Sequence, residues 1–318
     1  MIIIQMAGGL GNQMFQYALY KQLESMGKKV KMDDEEGFRE DAQRTPALAA
    51  FGINYERASK EEIWKITDSS PRITAKVRRK LCGRHKKSYF EESKLFQPQI
   101  FEWDDIYLEG YWQSEQYFKD VAEQIRVAYS IENIRKQKEN GYGMSECAEA
   151  YLKRIEQTPS VSIHIRRGDY LLPENQKLFG NICTELYYTK AIQEMLQKVP
   201  ECVFYLFSND MAWAKEWLPE IAKKADRNNR AENRIEGYRP FTERIVAVEL
   251  PEGRDYEELL LMSRCKHNIL ANSSFSWWAS YLNNNPDKTV LVPDKWLNGW
   301  DCRDIYRSDM RKISGEES

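Results

Sequence analysis

Apolar residues in this chain recur in two rhythms. Ile2–Ile4 is a short unbroken apolar run that stops at Gly8 and Gly9, which predicts a buried strand ending in a turn. From Gln13 onward Phe15, Ala18, Leu19, Leu23 and Met26 recur at helical spacing, and Gly27 stands where such a helix would stop. Lys28–Met32 then alternates as a second strand. An opening of strand, turn, helix and strand begins a parallel sheet. From about residue 155 the alternation becomes regular. Strands are predicted at Val161–Ile165, Cys202–Phe207, Ile245–Leu250, Lys266–Ala271 and Thr289–Pro293. Helices are predicted between them at Leu186–Val199, Met211–Leu218, Tyr256–Met262 and Ser276–Leu282. This is an α/β chain with an open parallel sheet, whose ligands sit beyond the carboxyl ends of the strands.

Residues 38–150 are harder to read. Glu61–Ile66 and Gln116–Tyr129 look helical, and Ile106–Trp112 is rich in aromatic residues. The boundary between two halves is expected near 140–158, which gives domains of 1–150 and 151–318. Between Arg72 and Lys87 lie eight Lys or Arg residues, with Ile73, Val77 and Leu81 at i, i+4 and i+8. That stretch reads either as a solvated basic helix face or as a peripheral contact with an anionic membrane surface.

Composition narrows the function. Of 318 residues, 47 are Lys or Arg and 49 are Asp or Glu, a net charge of -2, which argues against bulk nucleic-acid binding. The six cysteines form no C-x-x-C pair and there are three histidines, so a Cys/His zinc site is not expected. Scattered cysteines, the absence of a long apolar window and an N-terminus without a basic n-region predict a soluble cytoplasmic protein. Neither a P-loop nor a G-x-S-x-G elbow is present, which excludes P-loop ATPases and ordinary α/β-hydrolases. The chain has no Asp-x-Asp pair to hold a metal. An enzyme acting on a nucleotide sugar would then need cationic side chains to neutralise its leaving diphosphate.

Three loops carry candidate chemistry, each after a predicted strand. The first is Gly8-Gly9-Leu10-Gly11-Asn12-Gln13. Glycines there let backbone N–H groups approach an anion at a helix N-terminus, or simply make a tight turn; the dinucleotide fingerprint fails at Met14. The second is His164-Ile165-Arg166-Arg167-Gly168-Asp169-Tyr170. His164 and Arg166 project from one strand face near its carboxyl end. Adjacent guanidinium forks suit a phosphate, and Asp169 could orient one or remove a proton. A buried Arg–Asp lock is the structural alternative. The third is Asn272-Ser273-Ser274-Phe275, followed by Ser276 and two tryptophans. It offers N-capping hydroxyls that fit a phosphate, or an ordinary cap over two core tryptophans.

Taken together, GGLGNQMFQYA at 8–18, HIRRGDY at 164–170 and NSSFSWWASYLN at 272–283 resemble the α-1,2-fucosyltransferase family, glycosyltransferase family 11. The resemblance implies two Rossmann-like domains in a GT-B-type architecture. The N-terminal domain is then the acceptor side and the C-terminal domain binds GDP-β-L-fucose. It implies inversion at the fucose, no cofactor and no metal. By the same resemblance Arg166 matches a diphosphate clamp, with His164, Arg167 and Asp169 filling that motif. Asn12 matches an asparagine near the donor phosphate and reaction centre, and Ser273, Ser274 and Phe275 match the loop around the donor's phosphates. Gly8, Gly9, Gly11, Gln13, Asp210 and Asn272 complete the expected substrate contacts. One departure is visible: the family often has two acidic residues after Phe207-Ser208, where this chain has Asn209-Asp210. The expected acceptor is the 2-hydroxyl of a galactose in a glycan. Asp169, His164 and Asp33 are all candidates for a general base, and a loose transition state would need none. The resemblance to bacterial members points to the cytoplasmic face, on surface-polysaccharide repeat units. A nucleotide-sugar hydrolase and a non-catalytic binding module are the competing readings.

Overall fold

The computed structural model describes residues 1–41, 43–232 and 241–317. The apolar opening forms strand β1 (Ile2–Gln5), followed by β2 (Val30–Asp33), β3 (Ser88–Phe90) and β4 (Ile106–Glu109). Among the described residues these make a parallel sheet of order β2-β1-β4-β3. Ile2, Ile3 and Ile4 are fully buried in it. The intervening helix runs Leu10–Ser25, three residues earlier than the apolar spacing predicts. It ends as the sequence suggests. Gly27 adopts φ +77, its N–H bonds to Glu24 O and that of Lys28 to Leu23 O. This paired closure favours glycine because a side chain in that conformation meets its own backbone.

The second sheet is built from β5 (Ser160–Ile165), β6 (Val203–Ser208), β7 (Ile245–Ala247), β8 (His267–Ile269), β9 (Val290–Pro293) and β10 (Met310–Ile313). Its order is β10-β9-β8-β5-β6-β7, with every pair parallel. Counted from β5 within this sheet, the order is 3-2-1-4-5-6, the Rossmann arrangement. The direction of winding therefore reverses between β5 and β8. One face of β5 (Val161, Ile163, Ile165) packs with Tyr188, Ile192, Phe204 and Leu206. The other face is buried too. There Ser162 Oγ accepts from Asn268 Nδ2 at 2.7 Å, and Asn268 also donates to Met262 O at 3.0 Å. Sheets covered on both faces read as continuous burial rather than alternation.

The chain divides into two compact units: Met1–Gly141 with Arg303–Ile305, and Tyr142–Cys302 with Tyr306–Ser318. Each holds one parallel sheet with helices, so the fold is α/β with two Rossmann-like units, the GT-B pattern. The expected boundary at 150 gives too much to the first unit. Residues 142–150 are tied to the second: Tyr256 Oη donates to Gly143 O at 3.2 Å, and Ser145 donates through both N and Oγ to Glu257. Ser145 also caps the helix Glu146–Glu156.

Other expectations shift at their edges. The helix predicted to stop at Leu218 runs Met211–Glu232 through Pro219. Proline forfeits one backbone bond, but Ile221, Ala222 and Ala225 continue into the core and hold the helix. Gln116–Tyr129 is two short 3-10 turns followed by the helix Ala122–Ala128. Strand β10 escapes the sequence pattern because Arg311 and Lys312 are exposed on an edge strand.

Candidate functional site

The reversal between β5 and β8 fixes where a ligand of the second unit would sit. His164 is the fifth residue of β5, and Arg166-Arg167 follow its end. The loop Asn272–Ser273 follows β8 and opens the helix Ser274–Leu282. The two sequence motifs that lie more than one hundred residues apart are thus brought to neighbouring strands.

Arg166 Nη2 meets both carboxylate oxygens of Asp169, at 2.8 and 2.9 Å, and its guanidinium lies 5.7 Å from the Tyr170 ring. Arg167 Nη1 contacts Asp210 Oδ2 at 2.7 Å, with its guanidinium 4.5 Å above Trp213. The side chains are 26% and 32% exposed. Neither is locked in the interior, and each retains donors for an anion, since a guanidinium carries five. Asp210 does double duty. Its Oδ1 accepts from Trp213 N at the start of the helix after β6.

Asn209 explains the departure from the family pattern. Its Oδ1 accepts from Arg167 N at 2.9 Å, while Nδ2 lies 3.5 Å from Asp169 Oδ1. A carboxylate here would face Asp169 with like charge. Gly168 makes room for this contact: a Cβ there would stand 2.2 Å from Asn209 Nδ2.

His164 is buried, and its Nδ1 has no hydrogen-bond partner among the described residues. Its ring centroid is 5.7 Å from that of Phe275. Burial, reinforced by Arg166, pushes its pKa down to about 3. It is therefore neutral near pH 7, with its Nδ1 lone pair able to accept a hydrogen bond. An orphaned buried nitrogen beside the reversal point is better suited to a hydrogen bond from a ligand, since leaving it unmade costs about 1–3 kcal/mol.

Ser273 caps the helix after β8, its Oγ accepting from Phe275 N at 3.3 Å, and Ser274 and Phe275 are half-buried at its first turn. Asn272 belongs to the scaffold. Its Nδ2 donates to Phe179 O and Trp296 O, and its Oδ1 accepts from Cys183 Sγ. Both ends of that side chain are thus engaged by the scaffold.

The first unit's loop shows the same division of labour. Gly8 adopts φ +76, and a Cβ there would lie 2.6 Å from Asn12 Nδ2. Gly9 precedes the helix, and Gly11 is buried in its first turn. Gln13 straps the loop: it donates to Gly8 O and Thr45 O and accepts from Ala47 N. Asn12 is half-buried, and its Oδ1 accepts from Gln113 Nε2 at 2.8 Å. Asp33 is also scaffold: Oδ1 takes Glu35 N and Glu36 N, and Oδ2 takes the Tyr107 hydroxyl.

Two features escaped the sequence pattern. Tyr111 and Gln113 follow β4, which neighbours β1, and reach the glycine loop there. A glycine after an aromatic strand was their signal, in a stretch whose periodicity is weak. Glu258 sits half-buried in the helix Asp255–Arg264. Burial, with Asp255 adding to it, raises its pKa to about 7 against the opposing pull of Arg166. A carboxyl poised near neutrality beside a cationic cluster is a functional candidate. Because its folded pKa lies above the ordinary value of 4.5, the native state binds the extra proton. Its contribution to stability is present below about pH 4.5 and is lost as pH rises through 7. Denaturant unfolding of Glu258→Gln should accordingly lose less stability between pH 5 and pH 8 than the parent does. Equal losses would show that Glu258 titrates normally.

The sequence profile of Glycosyl transferase family 11 matches residues 85–309. The chain belongs to that family. The match takes in both the arginine cluster and the Ser273–Phe275 turn. This family-11 glycosyltransferase is 29% identical to an alpha-1,2-colitosyltransferase of Escherichia coli over 306 residues, which is 93% of this chain and 92% of that protein. It is 29% identical over 310 residues to the O-antigen biosynthesis glycosyltransferase WbnK of Escherichia coli, covering 92% and 94%. It is 25% identical to galactoside alpha-(1,2)-fucosyltransferase 1 of Saimiri boliviensis boliviensis over 182 residues, 55% of this chain and 42% of that one. Among the described residues, no helix of the glycosyltransferase is long and apolar enough to cross a membrane.

Proposed function

We propose that this glycosyltransferase moves L-fucose from GDP-β-L-fucose to the 2-hydroxyl of a galactose in a glycan, with inversion and without a metal ion or other cofactor. One observation carries the reading. Arg166 and Arg167 after β5, and the Ser273–Phe275 helix start after β8, meet at the winding reversal of a Rossmann-ordered sheet. Cations and a helix N-terminus at that point suit a nucleoside diphosphate. The α-1,2 linkage is named in relatives, one of which acts on galactosides.

As the bond from C1 to phosphate stretches, the sugar gains oxocarbenium character and charge builds on the diphosphate. Arg166 takes up that charge, held in place by Asp169, and Arg167 assists from between Asp210 and Trp213. Asp169 acts as the orienting partner, because both of its carboxylate oxygens engage Arg166 Nη2. The galactose hydroxyl attacks from the opposite face through a loose transition state in which stabilising the leaving group dominates. The first unit supplies the acceptor side, where Asn12 is the residue we assign to a polar contact. WbnK, named for O-antigen biosynthesis, supports a surface-polysaccharide acceptor.

A second donor is favoured by one comparison. Colitose is 3-deoxy-L-fucose, and the colitosyltransferase matches almost the whole chain. The deciding experiment offers both GDP-sugars with a panel of β-galactosides, with and without EDTA, and reads the products by mass spectrometry with linkage analysis. We expect α-1,2-fucosylated galactose, formed equally in EDTA. Preferential colitosyl transfer would replace the donor. Hydrolysis without acceptor dependence, or GDP binding with no transfer, would overturn the transferase reading for these substrates, and activity restored only by Mg²⁺ or Mn²⁺ would overturn the metal-free one.

A further inference from the structure

The helix Ile73–Cys82 buries none of its residues. Ile73, Val77 and Leu81 are 79%, 52% and 79% exposed. Residues four apart on a helix are offset by about 40°, so these three form one continuous aliphatic stripe. Lys76 and Lys80 run along one edge of that stripe and Arg78 lies toward the other. The opposite side anchors the helix. Arg79 Nη2 donates to Ser70 O at 2.8 Å, Arg78 pairs with Asp68, and Asp68 Oδ2 accepts from His85 N at 2.9 Å. Asp68 thus sets which way the stripe faces.

Charge is equally one-sided. No Asp or Glu occurs from Ser69 to Phe90, while Arg72–Lys87 holds eight cations in a chain whose net charge is -2. A solvated helix has no use for three aliphatic side chains in a row on its outer face, and the helix carries no aromatic ring on which a nucleic-acid base could stack. Aliphatic groups flanked by lysine and arginine complement a surface that is apolar beneath and anionic above.

We propose that Ile73–Cys82, with Arg84, Lys86 and Lys87 behind it, docks this protein on an anionic lipid bilayer. The helix lies in the interface plane. Ile73, Val77 and Leu81 enter the headgroup–acyl boundary, and the Lys76–Lys80 edge neutralises lipid headgroups. Neither element suffices alone, since shallow apolar insertion and a polybasic patch are each weak anchors and hold stably only in combination. The inference is independent of which sugar is transferred, because none of these residues belongs to the candidate site.

Vesicle co-sedimentation tests it with the full chain, using phosphatidylcholine alone and phosphatidylcholine with about 30% phosphatidylglycerol, a strongly anionic surface. The protein should sediment with the anionic vesicles only, and raising the salt from about 0.15 M to about 0.5 M should release it, because screening shortens the reach of each charge. The triple variant Ile73→Ser/Val77→Ser/Leu81→Ser and the pair Lys76→Glu/Lys80→Glu should each lower partitioning at least about tenfold, as the loss of several weak contacts predicts. Circular dichroism and the unfolding midpoint establish that both variants stay folded, as expected for exposed positions. Failure of the parent to bind anionic vesicles overturns the proposal. So does undiminished binding by either folded variant, or a stripe whose loss alters only self-association.

Discussion

Arg166→Ala should lower turnover by about 10²–10³-fold, the usual loss when one preorganised donor to a developing anion is removed. The residue is partly exposed and its ionic partner is the nearby Asp169, so the fold should survive and the loss should be specific. GDP affinity should fall as well, because a cation that meets the departing diphosphate also meets the product. Arg166→Lys should recover only part of the activity, since an ammonium keeps the charge but loses the flat two-point contact. Steady-state kinetics and calorimetric titration with GDP measure the two effects. An Arg166→Ala protein with the parent's turnover would remove the clamp, and with it the role assigned to Asp169.

Glu257→Ala is expected to cost the second unit about 3 kcal/mol of stability, the lower end of the range for breaking a buried ion pair. Glu257 is fully buried. It accepts from Ser145 N at 2.7 Å, Ser145 Oγ at 2.8 Å and Arg254 Nη1 at 2.8 Å. Removing the carboxylate strands a backbone amide, a hydroxyl and one face of a guanidinium, and it loosens the cap of the helix Glu146–Glu156. Arg254 is partly exposed, so water can recover some of its loss, which is why the lower end of the range applies. The isosteric Glu257→Gln keeps one acceptor and should cost less. Urea unfolding followed by tryptophan fluorescence reads both, and a parent-like midpoint for the alanine variant would mean that the anchor carries no weight. Its neighbour Glu258 differs, with its carboxyl pKa raised toward neutrality by burial and by Asp255. Two adjacent glutamates thus sit in different environments, and nothing in the letters EE tells them apart.

The limits of the sequence follow from the range of the interactions involved. Local patterns settle local questions. The apolar rhythm located most strands and helices, Gly27 marked a helix end, and the motifs at 8–18, 164–170 and 272–283 marked the loops at strand ends. These features depend on residues a few positions apart, and the chain writes them directly. What a side chain does inside a loop depends on partners brought by the fold. Gln13, Asn272 and Asp33 look like free polar groups, yet each is engaged by scaffold bonds, to Thr45 and Ala47, to Phe179 and Trp296, and to Tyr107. His164 reads as a base from its type alone, whereas burial beside Arg166 lowers its pKa.

By itself the sequence determined an α/β chain, its family, and the positions of the arginine cluster and the glycine loop, because period, composition and motif are properties of neighbouring residues. Tertiary structure alone decided the strand order that sets β5 beside β8. It also decided which carboxylates face Arg166 and Arg167, and that Tyr111 and Gln113 join Asn12. Those outcomes turn on burial and on contacts between residues up to about a hundred positions apart, where the free energy of a charge or an amide is set by its surroundings and not by its name.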